Sequence, residues 1–280
     1  MSTVFLFIIK VFRAFFNLSM AIQRWRDPSI CREKEKYPLL VNIHGGAFCL
    51  GNPGLDCLVW KRLANDAICV VADVHYRKAP EHPFPAGLDD VEKTILAVLN
   101  DPDLSMVDGD RIAIMGSSAG GALALGAALN PELQKRGNVK GIVPVMSVTD
   151  CTLDRKARMD SLPAESKGKD VLKDIHMLID AYMKGGGYRR DPRASPAFAD
   201  PSLWPAKLMF VTARKDCLYG EQERLVKRIR GARSGDGGVT WKVLDGMDHP
   251  SRDVRTGIVA EKWNEAWNEV AAYLQEVWKA

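Results

Sequence analysis

Short apolar runs alternate with longer stretches of helical periodicity along most of this sequence, and that alternation narrows its folds more than any other feature. Residues 39–43, 67–74, 111–115, 141–146, 208–212 and 239–243 read as strands, while 89–100, 119–129, 221–230 and 259–278 read as helices. Repetition of strand, helix, strand builds β-α-β units, whose crossovers run the strands parallel and lay helices on the faces of one sheet. The expected class is α/β, with a mostly parallel central sheet flanked by helices. In the last helix Trp263, Trp267, Val270, Leu274 and Trp278 recur at three- and four-residue steps, which gathers them on one face for packing against the sheet. The stretch 221–233 is acidic at its start and basic at its end, as the helix dipole favours, so its arginines read as a solvated face. Residues 148–205 break the rhythm. With several prolines, Gly185 to Gly187 and a helix expected over 171–183, they read as an insertion between two strands.

One domain over residues 1–280 accommodates this pattern. An apolar share of 46% and a charged share of 26% suit a globular chain with a sizeable core and do not indicate disorder. The net charge is +4, with Lys and Arg interleaved among Asp and Glu, too weak a field for a nucleic-acid partner. Six cysteines (Cys31, Cys49, Cys57, Cys69, Cys151, Cys217) lack regular spacing, and several fall in apolar runs, which points to a reducing, cytoplasmic setting. No Cys-x-x-Cys pair occurs and the histidines do not cluster at ligand spacing, so no metal is expected. At the N-terminus the apolar run 4–9 is too short to span a bilayer, and its charges, Lys10 and Arg13, follow the run, unlike those of a signal peptide. This stretch is expected as a helix over the mouth of the site, with peripheral membrane contact as its further role.

The chemistry is carried first by Gly116-Ser117-Ser118-Ala119-Gly120, set between the apolar run 112–115 and the helical run 122–129. A serine on a tight strand-to-helix turn sits in a strained backbone with its hydroxyl exposed, and small neighbours let strand and helix pass closely. Earlier, after the strand at 39–43, comes His44-Gly45-Gly46-Ala47-Phe48. A glycine turn of this kind can bring backbone N–H groups to a developing oxyanion, each typically worth ~3 kcal/mol in the transition state. Gly46, Ala47 and Ala119 are the expected donors, with Gly45 shaping the turn. The base and its orienting acid follow in the order Ser, Asp, His: Asp216 in the turn after 208–212, and His249 in the loop after 239–243. Asp245, Asp248 and Glu221 are alternative acids, and His44, His75, His82 and His176 read as structural.

The run His75-Tyr76-Arg77-Lys78-Ala79-Pro80-Glu81-His82-Pro83-Phe84-Pro85-Ala86 and the segment Asp191-Pro192-Arg193-Ala194-Ser195-Pro196 join these motifs. Together they resemble the hormone-sensitive lipase-like family of α/β-hydrolases over residues 37–249. The resemblance implies the α/β-hydrolase fold and a serine esterase acting through an acyl-enzyme on esters of short to medium acyl chains. It implies no cofactor, a small-molecule ester as partner, and a helical cap built from residues 1–25 and 148–205. Phe48, Trp60, Tyr188 and Phe198 are candidates for lining the acyl or alcohol pocket. The proline-rich run reads as a stiffened connection with an Arg and a Glu available to pair. Three departures stand out: Ala47 in place of a third glycine, Ser117 in place of an acidic residue, and only about twenty residues between the N-terminal helix and the strand at Leu39, too few for a linker plus two further strands. A shortened sheet is expected. Two other readings keep the same motifs. One passes the acyl group to an acceptor other than water, as in lactone formation or thioester release; the other is a binding protein without chemistry, which the presence of His249 disfavours.

Overall fold

The computed structural model describes residues 23–25, 36–164, 172, 175–184, 188–249 and 256–279. Its strands are β1 (Gln23–Trp25), β2 (Tyr37–Ile43), β3 (Val70–Val74), β4 (Val107–Ser117), β5 (Val139–Val145), β6 (Lys207–Ala213) and β7 (Val239–Leu244). They form one sheet in the order β1-β3-β2-β4-β5-β6-β7, parallel except for β1, which runs antiparallel to β3 at one edge. The helices among the described residues are α1 (Cys57–Asp66), α2 (Ala86–Asn100), α3 (Ala119–Ala127), α4 (Pro131–Arg136), α5 (Arg155–Asp160), α6 (Ile175–Tyr182), α7 (Tyr219–Ala232) and α8 (Gly257–Val277).

The strands are apolar on both sides because both sides are covered. Leu39, Val41, Ile43, Ile112 and Ile114 join one core with residues of α2, α3 and α7. Their alternates Leu40, Val71, Ala113, Met115 and Val143 join a second core with Trp60 of α1 and Trp263 and Trp267 of α8. The Trp face of the last helix therefore packs as its spacing predicts, and Trp60, expected among the pocket-lining residues, is buried inside this second core.

After β2 the chain moves to one side of the sheet, to β3; from β4 onward it moves to the other. The helices that follow β2 and β4, α1 and α3, consequently lie on opposite faces. Loops leaving two neighbouring parallel strands in opposite directions open a crevice at their carboxyl ends, the usual place for a ligand in such a sheet.

Differences from the sequence reading have local causes. The third strand begins at Val70 because Ala67 caps α1 and Ile68 turns the chain at a φ of 52°. Helix α4 is only six residues long, too short for periodicity to register. It is instead marked by its ends: Asn130 accepts from Glu132 and Leu133 N–H, Pro131 opens it, and Gly137 closes it in the left-handed region. The expectation of a helix through residue 25 is corrected, since Gln23–Trp25 form the edge strand; residues 1–22 lie outside the described ones. Between β5 and β6 the insertion contributes α5 and α6. The ring of Tyr182, at the end of α6, stacks on Phe48 at 3.9 Å and meets Phe84 edge-on at 5.8 Å. No helix among the described residues is long and apolar enough to cross a membrane.

Candidate active site

Ser118 follows β4 directly and precedes α3, with φ 55° and ψ −119°. The glycines around it are required by contact. A Cβ on Gly120 would stand 2.0 Å from the Ile43 carbonyl oxygen, one on Gly116 2.2 Å from that of Gly120, and one on Gly121 1.6 Å from Ser147 Oγ. The elbow is held on the sheet by Ser118 N–H donating to Val145 O at 2.8 Å. Side-chain freedom has been given up here so that strand and helix can nearly touch.

The glycine turn at 44–47 lies alongside. Gly46 (φ 122°) and Ala47 (φ 51°) are both left-handed, so the methyl of Ala47 is carried at a conformational cost of roughly 1–2 kcal/mol that glycine would not incur. The Gly46 carbonyl is occupied, accepting from Cys49 N–H at 3.0 Å and Leu50 N–H at 2.8 Å. Among the described residues no hydrogen bond takes up the N–H of Gly46 or of Ala47. Ala119 opens α3, and the first N–H groups of a helix have no partner within it. Gly45 rests on the elbow, where a Cβ would come 3.0 Å from Ser117 O and 3.3 Å from Ser118 Cβ.

His44 is structural. Its Nδ1–H donates to Gly45 O at 2.7 Å, its ring stacks on Tyr76 at 4.5 Å, and Tyr76 Oη donates to His44 O at 3.1 Å. Burial lowers its pKa to about 3, so the ring is neutral.

Asp216 and His249 meet. Asp216 is fully buried in the turn after β6, and its Oδ2 accepts from His249 Nδ1 at 2.7 Å while Oδ1 accepts from Leu218 N–H at 3.0 Å. The acid turn and the histidine loop are tied by Lys215 N–H to Met247 O at 2.8 Å. With Nδ1–H turned to the carboxylate, Nε2 keeps its lone pair for a proton. The imidazole is 15% exposed and thus reachable. Ser118, Asp216, His249 and the glycine turn all leave carboxyl ends of the parallel strands. No hydrogen bond links Ser118 Oγ to His249 among the described residues.

Two of the rival acids, Glu221 and Asp245, have other employment. Glu221 is buried in an ion pair with Arg158 at 2.9 Å and accepts from Thr149 N–H at 2.6 Å, which fastens the insertion's first turns to α7. Asp245 is surface-exposed and pairs with Arg214. Four features escaped the sequence reading. Arg77 pairs with Asp90 on α2 at 2.8 Å, not with Glu81; Arg158 is buried; Asp73 accepts from Asn42 at 2.7 Å and Gly54 N–H at 2.6 Å; and Ser117 Oγ donates to Asp56. Each pairing spans many positions and leaves no local signal. Of the proposed pocket-lining residues, Phe48 is buried against Tyr182, Tyr188 is exposed beside Phe84, and Phe198 lies under the Arg190 guanidinium at 5.1 Å.

A family model for the α/β-hydrolase fold matches residues 40–251. The chain belongs to the α/β-hydrolase fold family. This hydrolase is 31% identical over 225 residues to an esterase of Acinetobacter venetianus, covering 79% of its own length and 70% of that protein. It is 39% identical over 228 residues to an AB hydrolase superfamily protein of Schizosaccharomyces pombe, covering 76% of itself and 63% of the relative. Among solved structures it superposes on the hyperthermophilic esterase of the archaeon Pyrobaculum calidifontis with a TM-score of 0.75 at 29% identity, covering 88% of this hydrolase and 78% of that chain. The fold class and the hormone-sensitive lipase-like resemblance read from the motifs are borne out.

Proposed function

We propose that this hydrolase cleaves esters of short to medium acyl chains through an acyl-enzyme on Ser118. At the coarser level, its family and its esterase relatives make it a carboxylic ester hydrolase. The observation that carries the finer reading is the Asp216–His249 pair: a buried carboxylate at 2.7 Å orients an accessible imidazole at the edge of the sheet from which the strained Ser118 projects.

In the proposed cycle His249 Nε2 takes the Ser118 proton as Oγ attacks the ester carbonyl. Negative charge on the carbonyl oxygen is received by the N–H groups of Gly46, Ala47 and Ala119. Asp216 stabilises the imidazolium without accepting its proton, and His249 then protonates the departing alcohol. Water activated by the same imidazole releases the acid. Hydrogen bonds of this kind tighten when substrate binds, so a direct Ser118–His249 bond is required only in the complex. The chain-length preference is supported by Phe48, the residue after Ala47, whose ring stacks on Tyr182 while Phe84 meets Tyr182 edge-on, a packed aromatic cluster adjoining the glycine turn.

A fluorophosphonate probe, located by mass spectrometry, tests the nucleophile, with p-nitrophenyl acetate, butyrate, octanoate and palmitate testing chain length. Label on Ser118 that vanishes in Ser118→Ala, with turnover of the three shorter esters above that of palmitate, is expected. Folded protein that takes no label refutes the acyl-enzyme; fastest turnover of palmitate refutes the chain-length assignment.

A further inference from the structure

Ser117 occupies the last position of β4, next to the proposed nucleophile, and touches the glycine turn on one side: a Cβ on Gly45 would lie 3.5 Å from its Oγ. On the other side its Oγ donates to Asp56 Oδ2 at 3.1 Å. Asp56 is the N-cap of α1, where a carboxylate ordinarily accepts from an N–H in the first turn of its own helix. It makes no such capping bond.

Residues 44–56 thus form an excursion that begins with the glycine turn and ends on Asp56. Two hydrogen bonds among the described residues fasten its far end to the sheet. Gly54 N–H donates to Asp73 on β3, and Asp56 binds Ser117 on β4. Of these two fastenings, the second reaches the strand that carries Ser118. A cavity of about 10 Å³ bounded by Asn42, Asp56, Ser117 and Trp267 lies behind the pair, which places it on the α1 and α8 side of the sheet and away from the crevice.

We propose that Asp56 and Ser117 are a positioning pair that clamps the glycine turn against the Ser118 elbow and so fixes the spacing between oxyanion donors and nucleophile. The assignment rests on Ser118 being the nucleophile. Because the pair does not face the crevice, its loss acts on kcat and leaves KM in place.

The test is steady-state kinetics on p-nitrophenyl butyrate for wild type, Asp56→Ala, Ser117→Ala, the double variant and Asp56→Asn, with fluorophosphonate labelling of each. A misplacement of the order of an ångström costs about a hundredfold, so each alanine variant is expected to lose about ten- to a hundredfold in kcat with KM within about twofold. The double variant is expected to lose no more than the worse single one, and Asp56→Asn, which keeps an acceptor oxygen, to stay within about threefold of wild type. Wild-type kcat in both alanine variants, losses that multiply in the double, or a change confined to KM overturns the proposal. Should Asp56→Ala fail to fold, Ser117→Ala and Asp56→Asn decide. Failure of the Ser118 assignment looks different, because wild type itself then takes no label.

Discussion

Replacing Gly120 by alanine sets two effects against each other, and the contact distances decide between them. Gly120 lies in the first turn of α3, and helix propensity alone favours alanine over glycine by up to about 1 kcal/mol. The new Cβ, however, falls 2.0 Å from Ile43 O and 2.6 Å from His44 O. Ordinary contact begins at 3.4 Å, so helix and strand must part by about 1.4 Å, the difference 3.4 − 2.0. Both obstructing atoms belong to backbone, and β2 is hydrogen-bonded to β3 and β4 on either side, so no rotamer change relieves the clash. Overpacking of this kind typically costs about 1–3 kcal/mol, and the upper end applies where nothing can yield. A net loss of ~2 kcal/mol is expected, read as a lower urea midpoint at unchanged slope. The strain is released toward the glycine turn, so kcat on a short ester should fall about a hundredfold as well. Gly231→Ala in α7 is the control: nothing stands within 4 Å of its Cβ, and there alanine should stabilise by about 0.5–1 kcal/mol. A Gly120→Ala protein with wild-type midpoint and kcat would refute the claim that strand and elbow are in contact at this glycine.

Asp216→Asn should preserve the fold and lower kcat by roughly 10⁴-fold, because an amide can donate to Nδ1 and stabilise the wrong tautomer; kcat within tenfold of wild type removes Asp216 from the proposed triad. His44 gives a pH signature. Its folded pKa of about 3 lies below the ordinary 6.5, so the unfolded chain binds the extra proton. Its contribution is complete above that ordinary value and is lost as pH falls toward the folded one, by about 1.4 kcal/mol per unit. Urea titrations between about pH 7 and pH 5 should show a shallower decline for His44→Asn, and equal slopes contradict the assignment. Arg158→Ala should cost about 3–5 kcal/mol by leaving Glu221 charged and buried, whereas Arg158→Met with Glu221→Leu should cost much less; thermal melts that rank the two the other way rule out the buried pair as drawn.

Much of this was legible in the chain. The alternation of apolar runs predicts the parallel sheet because each strand is covered on both faces, and Gly116 to Gly120 announces the elbow because strand and helix cannot pass so closely with larger residues. The order Ser118, Asp216, His249 could be read because each follows its own strand by only a few positions. Helix α1 was not legible, since Trp60, Leu63 and Ala64 are too few to mark a buried face among Lys61, Arg62, Asn65 and Asp66.

What the sequence determined alone was therefore local: periodicity, glycine placement and the residues carried at strand ends. Tertiary structure decided the pairings. Arg158 with Glu221, Arg77 with Asp90, Asp56 with Ser117 and Phe48 with Tyr182 join segments that nothing in the intervening chain relates. A charge or ring acquires its partner only when the sheet order has been set, because a buried polar group is stabilised by what lies within hydrogen-bonding distance and not by what lies near it along the chain.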